Sequence, residues 1–100
     1  MDNIQLIRKE FASYLQSAFG LNEAQAQAST FTLNVDENKQ QFGDLNTNAP
    51  MVIAKIRGQK PLDIAKTILT EFKHPCIESL QLQGAGFLNA RLSLATIQQL

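Results

Sequence analysis

Hydrophobic residues recur at three- and four-residue spacing near the start of the chain, and this spacing predicts an amphipathic helix over residues 3–19. Its apolar stripe consists of Ile4, Ile7, Phe11, Leu15 and Ala18. Gly20 follows directly and suits the left-handed position that ends many helices. We therefore expect the first element to be a helix with one buried face.

The next stretch changes from helical spacing to alternation. Phe31, Leu33 and Val35 alternate with polar residues, which predicts a half-buried strand. Residues 22–29 are rich in Ala and Gln and fit either a short helical turn or a linker. Residues 36–48 show no periodic apolar pattern, so we expect a long loop there.

Two prolines mark the starts of two further helices. The first helix is expected to start after residues 47–48, with Pro50 in its first turn and Gly58 at its end. The second is expected over residues 61–72 and opens with a proline in the same way. The predicted apolar faces are Val52, Ile53 and Ile56 in the first helix, and Leu62, Ala65, Ile68, Leu69 and Phe72 in the second.

The last part of the chain predicts a β-hairpin. Residues 76–83 and 87–92 read as strands, and Gly84-Ala85-Gly86 supplies the turn between them. In the second strand a period of two puts Leu88, Ala90 and Leu92 on one face and Phe87, Asn89 and Arg91 on the other.

Taken together, these elements predict an α+β fold: a small, mostly antiparallel sheet packed on helices. The expected order is helix, strand, helix, helix, strand, strand, and the start of a further helix. We expect residues 1–93 to form one domain and residues 94–100 to begin a helix that leads into a longer protein.

Composition and charge narrow the possible functions. The chain has 100 residues, one cysteine and one histidine, which excludes an internal disulfide and a cysteine-based metal site. The single cysteine, Cys76, favours a reduced cytosolic setting. No apolar run approaches the length of a membrane span, and the N-terminus does not resemble a signal peptide. The net charge is zero, but residues 1–50 carry −3 and residues 51–100 carry +3. A polyanion would prefer the second half.

The polar face of the last strand is the most informative chemistry. A ring such as Phe87 can stack on an unpaired base, an amide such as Asn89 can bond to the edge of that base, and Arg91 can bind a phosphate. The competing interpretation is that Phe87 packs beneath the first helix while the other two side chains are simply solvated.

Other candidate sites have simpler explanations. His74-Pro75-Cys76 resembles a Cys/His nucleophile, but helix termination and burial in a strand explain these residue types. Gly84-x-Gly86 lies between two strands and not between a strand and a helix, so it is no dinucleotide fingerprint. Asp36, Glu37 and Asp44 lack the spacing of a calcium loop.

Three segments together resemble the N-terminal additional domain of arginyl-tRNA synthetases. The first is similar to the family pattern G-D-Y-x-x-N-A…A-K, the second is a proline-started helix, and the third is similar to G-P-G-F-I-N. In this chain they are Gly43-Asp44 with Asn48-Ala49 and Ala54-Lys55, then Pro61 to Phe72, then Gly84-Ala85-Gly86-Phe87-Leu88-Asn89. The resemblance covers nearly the whole chain.

The chain also departs from the family pattern at four positions. Leu45 replaces the usual aromatic residue, Pro50 a common alanine, and Ala85 the proline between the two glycines. Some family members carry an asparagine three residues before the phenylalanine, where this chain has Gly84. One base contact of those members is therefore missing here.

The resemblance implies a parent function and a role for this domain. The parent reaction is the ATP-dependent attachment of arginine to its tRNA, and the domain of this family touches the D-loop at the outer corner of the tRNA. Phe87 and Asn89 match the contacting aromatic and amide. Arg91 is a further candidate, and Lys55, Arg57 and Lys60 are weaker ones for phosphate contacts. Gly43, Gly84 and Gly86 are expected to shape turns.

The chain holds neither the HIGH-type nor the KMSK-type motif of the catalytic domain of such enzymes, so we expect no catalytic residue, bound cofactor or metal in it. ATP with magnesium would belong to the catalytic domain. The expected partners are tRNA(Arg) and that catalytic domain in cis, with no DNA and no membrane, and the expected location is the cytoplasm. The alternative is a structural domain that docks on the catalytic domain without reading tRNA.

Overall fold

A computed structural model describes residues 3–33 and 44–93 of the chain. Four helices and four strands lie in these ranges: α1 (Asn3–Phe19), α2 (Glu23–Ser29), β1 (Thr32–Leu33), β2 (Leu45–Thr47), α3 (Ala49–Arg57), α4 (Pro61–Glu71), β3 (Ile77–Gln83) and β4 (Phe87–Leu92). The predicted α+β class is confirmed. Gly43 and the helix expected over residues 94–100 lie outside the described residues.

The sheet has the strand order β1-β2-β4-β3, and its neighbouring strands all pair antiparallel. β4 is therefore a central strand with hydrogen-bonded partners on both edges. The interpretation of residues 44–48 as part of a loop was wrong, because Leu45–Thr47 forms β2. Three residues are too few to show alternation, and β2 is held in place by its pairing with β4.

Asp44 fastens the start of β2 to the end of β4. One of its carboxylate oxygens accepts a hydrogen bond from the Leu92 amide at 2.8 Å, and its own amide donates to the Ala90 carbonyl at 2.9 Å. These long-range contacts give Asp44 a structural purpose within the sheet, which the spacing of acidic residues does not reveal.

Side-chain caps explain where two of the helices begin. The stretch that fits either a short helical turn or a linker contains the helix α2, whose N-cap is Asn22. Asn22 and Gln25 bond reciprocally there as a capping box. At the start of α3 the hydroxyl of Thr47, not the side chain of Asn48, accepts the hydrogen bond of the Ala49 amide. Gly58 ends α3 in the left-handed conformation.

The core lies between the helices and one face of the sheet. Phe11 of α1 is its centre, with ring centroids 4.4 Å from Phe31 and 4.9 Å from Phe72. Leu88, Ala90 and Leu92 of β4 are buried beneath the helices, as the alternation predicts.

Four residues predicted to be apolar core positions lie at the surface instead. Leu33, Ile56 and Leu62 are 52%, 50% and 39% exposed, and Ala18 is exposed as well. Leu33 lies on the edge strand, and the other three lie in the first or last turn of their helices, where the core no longer covers them. The spacing of apolar residues shows which face of a helix is buried, but not how far along the helix the core extends.

The turn between β3 and β4 packs tightly against two helix starts. Gly84 has φ +62°, a conformation that favours glycine, while Gly86 is buried. A Cβ atom at Gly86 would lie 2.5 Å from Cγ of Met51 and 3.0 Å from Cβ of Pro61. The turn residue before Phe87 therefore abuts the N-terminal turns of α3 and α4.

Tyr14 joins α1 to α4 through its hydroxyl, which donates to Oε1 of Glu71 at 2.6 Å. Burial of the ring raises the pKa of the Tyr14 phenol, and the hydrogen bond and negative charge of Glu71 raise it further. The folded state therefore favours the neutral phenol more strongly than the unfolded state does.

The raised pKa of Tyr14 predicts a loss of stability in alkali. The contribution should be complete below the ordinary phenol pKa of about 10 and should fall as the pH rises above it. Urea unfolding at increasing pH would measure this fall, and Tyr14→Phe should make it shallower. Because the chain has one tyrosine, phenolate absorbance reports this group alone. Equal pH dependence in both proteins would contradict the prediction.

The packing at Gly86 predicts that Gly86→Ala lowers the free energy of unfolding by roughly 1–3 kcal/mol, because the added methyl overpacks the turn. Chemical denaturation measures the change. Ala85→Ser is the matched control, since Ala85 is exposed in the same turn and should tolerate the substitution. Equal stability of the two variants would show that the helix starts yield without cost.

Candidate functional site

The face of the sheet opposite the helices is lined mainly by polar side chains. Residues that pair directly across antiparallel strands project to the same side, so the register identifies its members. We call this the open face; it consists of Thr32, Asn46, Ser79, Gln81, Gln83, Phe87, Asn89 and Arg91. The predicted grouping of Phe87, Asn89 and Arg91 on one side of β4 is confirmed.

Phe87 is the aromatic residue of this face and is 43% exposed. It lies at the start of β4, opposite Gln83. The alternative in which Phe87 packs beneath the first helix was therefore wrong. A ring that is flanked by amides and nearly half in solvent is available to stack on a flat partner.

Asn89 lies deeper than the sequence suggests. It pairs with Asn46 on one side and Gln81 on the other, and it is only 4% exposed. Its Nδ2 donates a hydrogen bond to Oε1 of Gln83, the residue opposite Phe87. Sequence reasoning missed Gln83, because a bond between diagonal neighbours of two strands depends on register.

A groove of about 280 Å³ borders Phe87 on the side of β1 and β2. Its polar lining is uncharged: Thr30, Thr32, Asn46, Thr47 and Asn48. The Thr32 hydroxyl lies 3.3 Å from Oδ1 of Asn46. The groove therefore presents hydroxyl and amide groups, which suit neutral parts of a ligand better than a phosphate.

The candidate cations are dispersed around this face. Arg91 is exposed at the other end of β4, roughly 13 Å along the strand from Phe87. Lys60 directly precedes Pro61, which abuts the turn, and Lys55 lies one helical turn after Met51. Arg57 points elsewhere: it donates to the Phe19 carbonyl at 3.2 Å and lies over the Phe19 ring. Lys60 also lines one groove with Arg57 and Phe19, so the structure does not gather these cations at the turn.

The structure gives His74 a structural role instead of a catalytic one. Its Nδ1 accepts a hydrogen bond from the Cys76 amide at 3.0 Å, and its Nε2 lies 2.7 Å from Glu10. The imidazole thereby connects α1 to the segment between α4 and β3, with both nitrogens engaged.

Two kinds of feature are absent from the described ranges: a metal-binding cluster and a membrane-spanning helix. Among residues 3–33 and 44–93, no group of three or more His, Cys, Asp or Glu side chains is arranged to hold a metal ion. None of the helices in these ranges is long and apolar enough to cross a membrane.

Comparison with known proteins assigns the family. The pattern described as "Arginyl tRNA synthetase N terminal domain" matches residues 5–92. An arginine–tRNA ligase of Paracoccus denitrificans is 49% identical over 51 residues, 50% of this chain and 9% of that protein. One of Nitrosospira multiformis is 41% identical over 58 residues, 57% of this chain and 10% of that protein.

A solved structure shows the same fold. The crystal structure of arginyl-tRNA synthetase from Plasmodium falciparum superposes with a TM-score of 0.72 and 19% sequence identity. The match covers 98% of this chain and 17% of that protein. Since the family pattern spans most of the chain, this protein belongs to the arginyl-tRNA synthetase N-terminal domain family.

Proposed function

We propose that this chain is the tRNA-positioning domain of an arginine–tRNA ligase and that Phe87 stacks on an unpaired base in the D-loop of tRNA(Arg). The observation that carries the proposal is the half-exposed Phe87 ring on a sheet face lined by amides. Single-stranded RNA is commonly bound in this way, by an aromatic ring on a sheet with hydrogen-bonding groups around it.

Stacking on Phe87, and not electrostatic attraction, is the main source of affinity for tRNA in this proposal. A base stacked on an aromatic side chain contributes about 1–3 kcal/mol. The net charge of the chain is zero, so non-specific attraction to the tRNA backbone is weak. Arg91, Lys55 and Lys60 would contribute individual phosphate contacts, which position the RNA without reading its sequence.

In this proposal Asn89 holds its neighbours in place and does not contact the RNA itself. The sequence indicates that Asn89 bonds to the edge of the stacked base. With 4% exposure and an amide already bonded to Gln83, Asn89 instead acts in this proposal by fixing the polar edge beside Phe87. Gly84 and Gly86 shape the turn that presents the ring.

The chemistry of the parent reaction would take place elsewhere. The curated relatives are arginine–tRNA ligases, and the matched stretch spans only 9% and 10% of the two described above. In the proposal, ATP with magnesium binds a separate catalytic domain in cis, arginylation occurs there in the cytoplasm, and this domain orients the tRNA.

One observation favours a second candidate function. Met51 and Leu62 are 44% and 39% exposed and lie at the helix starts beside the turn that precedes Phe87. This end of the molecule would then be a docking surface for the catalytic domain, and Phe87 would be buried against that domain instead of against RNA.

The proposed stacking predicts that Phe87→Ala weakens binding of transcribed tRNA(Arg) by roughly 5- to 150-fold, because about 1–3 kcal/mol of stacking is lost. Titration of the ¹⁵N-labelled chain measures the change in Kd. Phe87→Trp should retain binding. The thermal midpoint of the Ala variant should move little, since the ring is 43% exposed.

Leu33→Ala is the matched control, because Leu33 is 52% exposed at the sheet edge but lies outside the open face. It should leave the Kd unchanged. If Phe87→Ala binds tRNA as tightly as the original chain, the stacking role is wrong. The docking role would then be tested in the longer ligase, where the same substitution should lower the thermal midpoint.

A further inference from the structure

A second groove lies between α1 and α2 and carries the charged side chains that the groove beside Phe87 lacks. Its volume is about 390 Å³. We call it the α1–α2 groove. Its lining includes Gln5, Arg8 and Lys9 of α1, Glu23 and Gln27 of α2, and Thr30.

Thr30 joins this groove to the one that borders Phe87, because it lines both of them. It directly follows α2, and its hydroxyl donates a hydrogen bond to the Arg8 carbonyl at 2.7 Å. The two grooves therefore adjoin at a residue that is fastened to α1. A flexible ligand that stacks on Phe87 can continue through the uncharged groove into the charged one.

Arg8 is held in place at the wall of the α1–α2 groove. Its Nε donates to the Phe31 carbonyl at 2.9 Å, and its Nη1 donates to Oε1 of Gln5 at 3.3 Å. These two bonds use two of the five N–H donors of a guanidinium, and its planar fork suits the oxygens of a phosphate. Because the side chain is already ordered, it loses less conformational freedom when it binds a ligand.

The charge of this groove differs from that of the half of the chain to which it belongs. Residues 1–50 carry −3, but the described part of the groove holds two cations, Arg8 and Lys9, and one anion, Glu23. Two other acidic residues of this half, Glu10 and Asp44, bond to other parts of the domain. The remaining three acidic residues lie outside the described ranges.

We propose that the RNA backbone next to the base on Phe87 passes Thr30 into the α1–α2 groove, where Arg8 and Lys9 bind its phosphate groups. The inference rests on the proposed function. Hydroxyl and amide groups in the first groove suit the 2′-hydroxyls of the RNA, and the cations in the second suit its phosphates. Such contacts position the RNA without reading its sequence.

The test is the salt dependence of tRNA binding. For single-stranded nucleic acid, the logarithm of the association constant falls with the logarithm of the salt concentration, with a slope of about −0.7 for each phosphate neutralised. The chain is titrated with transcribed tRNA(Arg) at several salt concentrations. Arg8→Gln and Lys9→Gln should each weaken binding at low salt and make the slope shallower by about 0.7. Arg8→Lys keeps the charge and should largely keep the slope.

Lys66→Gln is the matched control, since Lys66 is an exposed cation of α4 that lines neither groove. It should leave the slope unchanged. Phe87→Ala should weaken binding and keep the slope, because the ring neutralises no phosphate. The amide spectrum of each variant shows whether the fold is retained. Lys9 is exposed, so Lys9→Gln tests the proposal even if loss of the bond to Phe31 unfolds Arg8→Gln.

The possible outcomes separate this inference from the proposed function. If Arg8→Gln and Lys9→Gln keep the original slope while Phe87→Ala weakens binding, the phosphate role is wrong and the stacking site stands. A slope that changes as much in Lys66→Gln as in Lys9→Gln also overturns the inference, because the effect is then one of overall charge. Binding that is unaffected by Phe87→Ala overturns the proposed function itself.

Discussion

β4 pairs with a neighbouring strand on each of its edges, β2 on one side and β3 on the other. Because β4 lies between β2 and β3, its register with both neighbours determines which side chains share a face. Leu88, Ala90 and Leu92 are buried beneath the helices, so Phe87, Asn89 and Arg91 must project to the opposite side. A shift of the register by one residue would bury the polar set and expose the apolar one.

The same pairing explains why the supporting contacts lie far apart in the sequence. Asp44 accepts a hydrogen bond from the Leu92 amide at the end of β4, 48 residues later in the chain. Gly86 fits against the starts of α3 and α4 because the hairpin is held against both helices. The candidate site is therefore built on strands and rigid turns. Its one large ring is kept at the surface by the packing of its neighbours.

The elements with strong local signals could be predicted from the sequence. Pro50, Gly58 and Pro61 mark helix boundaries, and the alternation over residues 87–92 correctly divides β4 into two faces. By contrast, β2 has three residues and no local pattern of its own, so only its partner reveals it. Leu62 fits a helical stripe but lies beyond the edge of the core.

The candidate site shows the same division between local and non-local information. Phe87 could be singled out by parity and chemistry, because both are properties of one strand. The enclosure of Asn89 and its bond to Gln83 could not, since they depend on side chains that two neighbouring strands bring together. The same holds for Arg57, one of the weaker candidates for a phosphate contact. It donates to the carbonyl of Phe19 and lies over the Phe19 ring, a contact between distant helix ends that the sequence does not show.

In the proposed function, the open face of the sheet binds RNA through Phe87. The most direct measurement is a titration of the ¹⁵N-labelled chain with transcribed tRNA(Arg) and with a non-cognate tRNA, each at low and moderate salt. We expect chemical-shift changes that cluster at residues 83–91, are larger for the cognate tRNA and persist at moderate salt. Diffuse shifts at lysines and arginines that vanish with salt, or no shifts at all, would contradict it.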